Sequence, residues 1–250
     1  MGMFSLRSLA ALPLVVAVLL SSSAAQAAAP KVLPPTVAVL YLDYAGQDEA
    51  LASLRKGLTQ MLISDLSQSD KLTLVERVQL EAVMDELKLG QTRAIDGTTA
   101  AKVGKLLGAR YLVLGGYFEF AGSLRVDVRV VHVETGKLVR GFGVTGKGDD
   151  FLAIHQQLVA GLLPILTSVA AEVSPPQRVA KPEDKSPEPG IQKRPQAPPR
   201  LRTKTAARYG KALDLMDKGK KTEARDELQQ VLAEEPGFGL ADHDLQRLVQ

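Results

Sequence analysis

Cysteine is absent from the 250 residues, and so is tryptophan. Without cysteine the chain can form no disulfide, thiolate metal site or cysteine nucleophile, and no lipid can be attached to an N-terminal cysteine. Aromatic residues make up only 4% of the chain, so its core must consist mostly of aliphatic side chains. The formal net charge is only +3, which argues against nucleic acid as a partner.

The first 27 residues have the pattern of a secretory signal peptide. Arg7 gives a basic start, residues 9–20 are an apolar run, and Ala25-Gln26-Ala27 supplies the small residues of a cleavage site. We therefore predict export to the periplasm without lipidation. The apolar run is shorter than the roughly 20 residues that a membrane-spanning helix needs, and no later run is expected to reach that length. No integral membrane segment is predicted in the mature protein.

Residues 36–173 read as an α/β domain. An almost unbroken apolar run at 36–44 predicts a central strand. Strict alternation at 124–130, with turn signals at 120–123 and 134–137, predicts three successive antiparallel strands. Helical spacing predicts helices at 47–66, at 76–89, after a cap at Asp96, Thr98 or Thr99, and after a cap at Asp149 or Asp150. The predicted fold is a mixed sheet flanked by helices.

Residues 174–202 are predicted to be a proline-rich basic linker, with eight prolines between positions 174 and 200. Residues 203–250 are predicted to form a small α-helical hairpin joined around Gly219. We expect the linker to be mobile and the two folded parts to move independently. Seven basic residues and no acid lie between Lys193 and Lys211, so an anionic surface is a candidate partner. The alternative is a solvated linker followed by the start of a helix.

The sequence offers no catalytic, cofactor-binding or metal-binding residues. The string Gly141-x-Gly143-x-x-Gly146 matches a dinucleotide fingerprint, but no second parallel strand with an acidic residue follows it. These glycines are predicted instead to mark a close approach of another backbone or subunit. His132, His155 and His243 have no neighbours at ligand spacing, and no cofactor or metal is expected.

Four charged residues are candidates for interaction with a partner. Arg77 follows Glu76 at a helix start, where it pairs either within the fold or with another protein. Arg125, Asp127 and Arg129 alternate with buried valines, so they share the exposed side of one strand. That side is a candidate docking face.

Three stretches in one order carry a family resemblance: Val75-Glu76-Arg77 at a helix start, GARYLVLG at 108–115 and LRVDVRVVHVETGKLV at 124–139. Over residues 36–168 the chain resembles the curli-secretion-channel (CsgG-like) family. It also resembles related flagellar outer-membrane (FlgO-like) proteins and lipoprotein activators of penicillin-binding proteins. The resemblance implies a periplasmic α/β domain that acts through protein contacts. The channel members carry a lipidated cysteine and long membrane insertions, where this chain has only the turn at 120–123.

The C-terminal part is similar to a single tetratricopeptide repeat. The matching small, large and terminal positions are Ala212, Leu215, Ala224, Leu228, Val231 and Pro236. The resulting hypothesis is a non-catalytic periplasmic accessory or assembly protein of an outer-membrane or secretion machine. Its expected partners are envelope proteins, with a homo-oligomer as an alternative. Two further alternatives stay open: an activator of a peptidoglycan-synthesising enzyme, and an enzyme of unknown type.

Overall fold

The computed structural model describes residues 33–89, 96–173 and 201–249. The strands in these ranges are β1 (Thr36–Val39), β2 (Asp43–Tyr44), β3 (Thr73–Leu74), β4 (Tyr111–Phe120), β5 (Ser123–His132) and β6 (Leu138–Lys147). The helices are α1 (Glu49–Ala52), α2 (Leu54–Leu66), α3 (Arg77–Glu86), α4 (Gly97–Leu106), α5 (Phe151–Val173), α6 (Thr203–Asp217), α7 (Lys221–Glu234) and α8 (Gly239–Val249).

A mixed sheet lies at the centre of the fold, as predicted. Its strand order is β3-β1-β4-β5-β6, and the short β2 also pairs with β4. β1 runs parallel to β3 and β4, whereas β4, β5 and β6 form an antiparallel ladder. Only Ala121 and Gly122 separate β4 from β5, and both have positive φ angles of 50° and 75°. Such a turn is typical of a two-residue hairpin, which confirms the tight turn predicted at 120–123.

The first predicted strand and the first predicted helix are each interrupted. Residues 40–42 are buried but lie outside the ladder, so the strand divides into β1 and β2. Ser53 separates α1 from α2. The predicted cap at Asp96 is confirmed, because its carboxylate accepts hydrogen bonds from the backbone N–H groups of Thr98 and Thr99, each at 2.8 Å.

Helices cover the two faces of the sheet, which gives three layers. On one face, Val37, Val39 and Val113 pack with α2 and α5 in the larger buried cluster. On the other face, Ala38 and Leu112 pack with α3 and α4. Successive strand residues point to opposite faces, and the unbroken apolar run of the first strand therefore serves both cores.

α5 is an apolar helix of 23 residues that packs against the sheet. Its segment Phe151–Ala170 is long and apolar enough to cross a membrane by length and composition. The expectation that no later run reaches that length is therefore wrong. The stripe formed by Leu158, Leu162 and Leu166 is fully buried, so core packing accounts for the apolar character of that side of the helix.

The C-terminal helices pack directly on the α/β domain. Ala206 and Ala207 belong to the same buried cluster as α2 and α5, and the described residues form one compact unit. At the crossing of α2 and α6, a Cβ atom on Gly210 would lie 1.9 Å from the carbonyl oxygen of Ser53. Only a glycine allows so close an approach. The expectation that the C-terminal helices move independently is therefore wrong.

The contact with α2 supplies the neighbour that a lone helical repeat lacks. Isolated repeats cannot bury their apolar faces, so they are stable only beside another unit. Here α2 covers one side of α6. On another side of α6, Tyr209 packs with Leu228 and Val231 of α7 and with α8 in a separate buried cluster. The likeness to a tetratricopeptide repeat stays a prediction. The predicted signal peptide and nearly all of the predicted linker lie outside the described residues.

Candidate functional site

Arg77 lies in a buried ionic cluster that joins α2, α3 and α6. The Arg77 guanidinium is 5% exposed and donates two hydrogen bonds to Asp217, at 2.7 and 3.0 Å. The Lys56 ammonium lies 2.8 Å from Glu81 and 2.8 Å from Asp217. We call these residues, with Tyr41 and Asp214, the ionic cluster. Of the two alternatives for Arg77, the structure therefore shows pairing within the fold, with a helix of its own chain.

The ionic cluster keeps Arg77 and Lys56 charged and Tyr41 neutral. Burial lowers the pKa of Arg77, but the hydrogen bonds that Arg77 donates to Asp217, together with the nearby negative charge, outweigh this effect and the net pKa is raised. The pKa of Lys56 is raised in the same way by Asp217 and Glu81. Burial raises the pKa of Tyr41, whose hydroxyl donates to Glu81. A cation that stays protonated and a phenol that stays neutral serve packing and have no role as an acid or base near neutral pH.

Part of the sheet has no helix over it. Helices α3 and α4 pack on β1 and on β4 as far as Leu114. Beyond that point, the side chains on the same face are exposed or half-buried. We call this surface the uncovered sheet face; its side chains are Phe118, Phe120, Arg125, Asp127, Arg129 and Lys147. The structure thus brings three of the four predicted interaction residues together on one open surface.

Arg125 is held in place on the uncovered sheet face. Its Nε and one terminal nitrogen donate to the two carboxylate oxygens of Asp127, at 2.9 and 2.7 Å. A Cβ atom on Gly143 would lie 2.2 Å from Asp127 and 2.7 Å from Arg125. The absence of a side chain at Gly143 therefore lets the ion pair lie flat on the sheet. Arg129 forms no ion pair within 4.0 Å among the residues that the structure describes, although its charge acts on Asp43.

The glycine string is part of the packing of β6. Gly146 faces the side chain of Ile154 in α5, and Gly141 lies beside the carbonyl oxygen of Val128. Both approaches come from within the chain. The prediction of a close backbone approach thus holds for Gly141, whereas side chains crowd Gly143 and Gly146.

The described histidines do not converge on a reaction centre. His155 is buried, and its Nε2 lies 2.8 Å from Asp65. Its Nδ1 has no hydrogen-bond partner within the described part of the chain. In residues 33–89, 96–173 and 201–249, no group of three His, Asp or Glu residues could hold a metal ion.

Much of the basic run at the start of α6 is paired with acids of α7. Lys211 lies 2.7 Å from Glu227, and Arg208 lies 3.6 Å from Glu234. Arg202 lies 3.7 Å from the same Glu234. Glu227 and Glu234 come after the basic run in the sequence, but α7 places them beside it. The charge available for an anionic surface is therefore smaller than the run of seven basic residues indicates.

Comparison with known proteins gives one family match. Residues 21–125 match the model of the family described as curli production assembly/transport component CsgG, which confirms the predicted resemblance in that range. No curated protein matches the chain significantly.

Several solved structures are similar to part of the chain. The LpoB C-terminal domain from Salmonella enterica has 19% identity and a TM-score of 0.37, covering 46% of this chain and 84% of that one. Lipoprotein GNA1162 from Neisseria meningitidis has 12% identity and a TM-score of 0.40, covering 54% and 99%. The PelC dodecamer from Paraburkholderia phytofirmans, in one crystal form, has 14% identity and a TM-score of 0.34, covering 54% and 88%.

Proposed function

We propose that this chain, which matches the CsgG family model over residues 21–125, is a non-catalytic accessory or assembly protein of an outer-membrane or secretion machine. It acts in the periplasm by binding other envelope proteins. Export is supported by the signal-peptide pattern of the first 27 residues, and the absence of cysteine argues against lipidation.

The observation that carries the proposal is the uncovered sheet face. On that side of the sheet, helices α3 and α4 cover only β1 and β4 as far as Leu114. The part left open carries two exposed phenylalanines beside charged side chains, and exposed apolar surface rimmed by polar residues marks an interaction site. The Arg125–Asp127 pair is held in a fork geometry by two hydrogen bonds. A side chain already held in one conformation loses little entropy when a partner binds. The surface is therefore suited to docking, whereas the buried ionic cluster is suited to holding the fold together.

A charge-reversal experiment tests this function. Wild type and Arg129→Glu would each be used to capture proteins from crosslinked envelope extracts of the producing cells. Arg225→Glu is a matched control, because Arg225 lies on the surface of α7, away from the sheet. We expect at least one envelope protein to be captured by wild type and by Arg225→Glu but lost with Arg129→Glu.

The identity of the captured protein separates the alternatives. An assembly or secretion component supports the proposal as stated, whereas a peptidoglycan-synthesising enzyme supports the activator alternative. Equal capture by all three proteins would contradict a role for the uncovered sheet face. No envelope protein captured by wild type would contradict the docking function as a whole.

A further inference from the structure

Two phenylalanines lie on the uncovered sheet face beside its charged side chains. Phe120 is 76% exposed and Phe118 is 39% exposed. Phe118 lies directly across the ladder from Arg125, and Phe120 lies across from Ser123. The chain has only six phenylalanines, so leaving two of them uncovered on one surface requires an explanation. Exposed apolar surface of this kind marks an interaction site.

The phenylalanines share their surface with arginines. Arg125 and Arg129 flank Asp127 on β5, and Lys147 lies on β6 across from Ser123. Aromatic and arginine side chains are enriched at protein interfaces, where a few of them supply most of the binding energy. The mixture therefore fits a protein surface that combines an apolar pocket with carboxylates.

We propose that the uncovered sheet face binds a different protein through Phe120, which enters an apolar pocket rimmed by Asp or Glu residues that pair with Arg125 and Arg129. This inference rests on the proposed function and specifies the partner's chemistry. Phe118 is less exposed than Phe120 and enlarges the apolar contact area. The partner's carboxylates meet Arg129 first, because Arg125 already shares its charge with Asp127.

A second copy of the chain fits this surface poorly. A twofold axis through the middle of the face would place Asp127 against its own equivalent and Arg125 against Arg129. Like charges placed opposite one another oppose association. A lipid surface is the remaining alternative, because Arg125, Arg129 and Lys147 outnumber Asp127 on this face and would also attract anionic head groups. The experiment that follows separates a lipid surface from a protein partner.

Site-specific photocrosslinking in the producing cells tests the inference. The full chain would carry p-benzoylphenylalanine in place of Phe120 or, as a comparison, in place of Arg225 on α7. After irradiation, mass spectrometry would identify the crosslinked peptide. We expect the probe at position 120 to crosslink to one other protein, within a segment that contains Asp or Glu. Crosslinks to a second copy or to lipid would overturn the inference.

Binding of the purified partner supplies the second measurement. Phe120→Ala should weaken binding by about tenfold or more, as expected for an anchor residue. Val78→Ala is the matched control, since Val78 is 57% exposed on α3, and it should leave binding unchanged. Arg129→Glu should also weaken binding, and replacing a carboxylate of the crosslinked segment by lysine should restore it. Binding by Phe120→Ala equal to wild type would overturn the inference.

The two probe positions also separate this inference from the proposed function. Crosslinks to an envelope protein from position 225 but not from position 120 would leave the docking function standing and overturn the choice of surface. No protein crosslink from either position would overturn both.

Discussion

Replacing Gly210 by alanine should force α6 away from α2 and loosen the C-terminal helices. The new Cβ atom would lie 1.9 Å from the carbonyl oxygen of Ser53 and 3.0 Å from the backbone nitrogen of Gly57. Both atoms belong to the backbone of the α1–α2 segment, so neither can turn aside as a side chain would. The helices must separate, and the packing of neighbouring residues is lost with them.

The size of the effect follows from two opposing contributions. Forcing one extra carbon into a close-packed contact costs about 1–3 kcal/mol, and a clash with backbone belongs in the upper half of that range. Alanine in place of glycine inside a helix contributes about 1 kcal/mol in favour of folding. The expected net loss in the free energy of unfolding is therefore about 1–2 kcal/mol.

Urea denaturation of the full chain, followed by circular dichroism, measures this loss. Gly239→Ala is the matched control, because Gly239 begins α8 and a Cβ atom there meets nothing within 4 Å. The control should be as stable as wild type or slightly more stable. If Gly210→Ala matched its control, the close crossing of α2 and α6 would be refuted.

Three further perturbations test the ionic cluster and a turn. Asp217→Asn removes the carboxylate that accepts both hydrogen bonds from the buried Arg77 and should lower the free energy of unfolding by about 3 kcal/mol. Asp127→Asn on the surface should change it by less than about 1 kcal/mol, and urea denaturation of the two variants compares these losses. Burial raises the pKa of Asp214, but its ion pairs with Lys218 and Lys56 outweigh this effect, and the net pKa is lowered. Its contribution should therefore be complete above about pH 4 and lost as the pH falls through the folded pKa, so stability measured down to about pH 2 should decline less steeply in Asp214→Asn. Gly136 has a φ of 66°, and Gly136→Val should lower thermal stability by about 1 kcal/mol or more; an unchanged melting temperature would show that the turn is described wrongly.

Local sequence patterns were sufficient to predict most of the α/β domain. The alternation at 124–130 identified β5, because one side of that strand is buried in the larger cluster. Asp96 could be recognised as a helix cap because its partners lie two and three residues away. Such features depend on residues that are close in sequence. They can be recognised from the repeat of apolar residues, which differs between a helix and a strand.

The packing of the C-terminal helices could not be read in the same way. Arg77 and Asp217 are 140 residues apart in sequence, so no local pattern connects them. A proline-rich stretch between two folded parts indicates a spacer, but it carries no information on whether those parts contact each other. Gly210, within α6, was the available signal, since a glycine inside a helix can mark a close approach.

The candidate site was predicted only in part, for a related reason. Period-two alternation placed Arg125, Asp127 and Arg129 on one side of β5. Whether that side is open depends on where α3 and α4 end on the sheet, which is a matter of tertiary packing. For the same reason the sequence gives no sign that Phe118, at the end of the apolar run 111–118, and Phe120, at the predicted turn, share this open surface.

Arginine-selective dicarbonyl labelling of the protein, with and without its captured partner, tests whether the uncovered sheet face is the docking surface. Arg125 and Arg225 have similar side-chain exposure, 46% and 49%, and Arg77, buried in the ionic cluster, serves as an unreactive reference. We expect the partner to protect Arg125 and Arg129 from labelling and to leave Arg225 reactive. Protection of Arg225 with continued labelling of Arg125 and Arg129 would contradict that expectation.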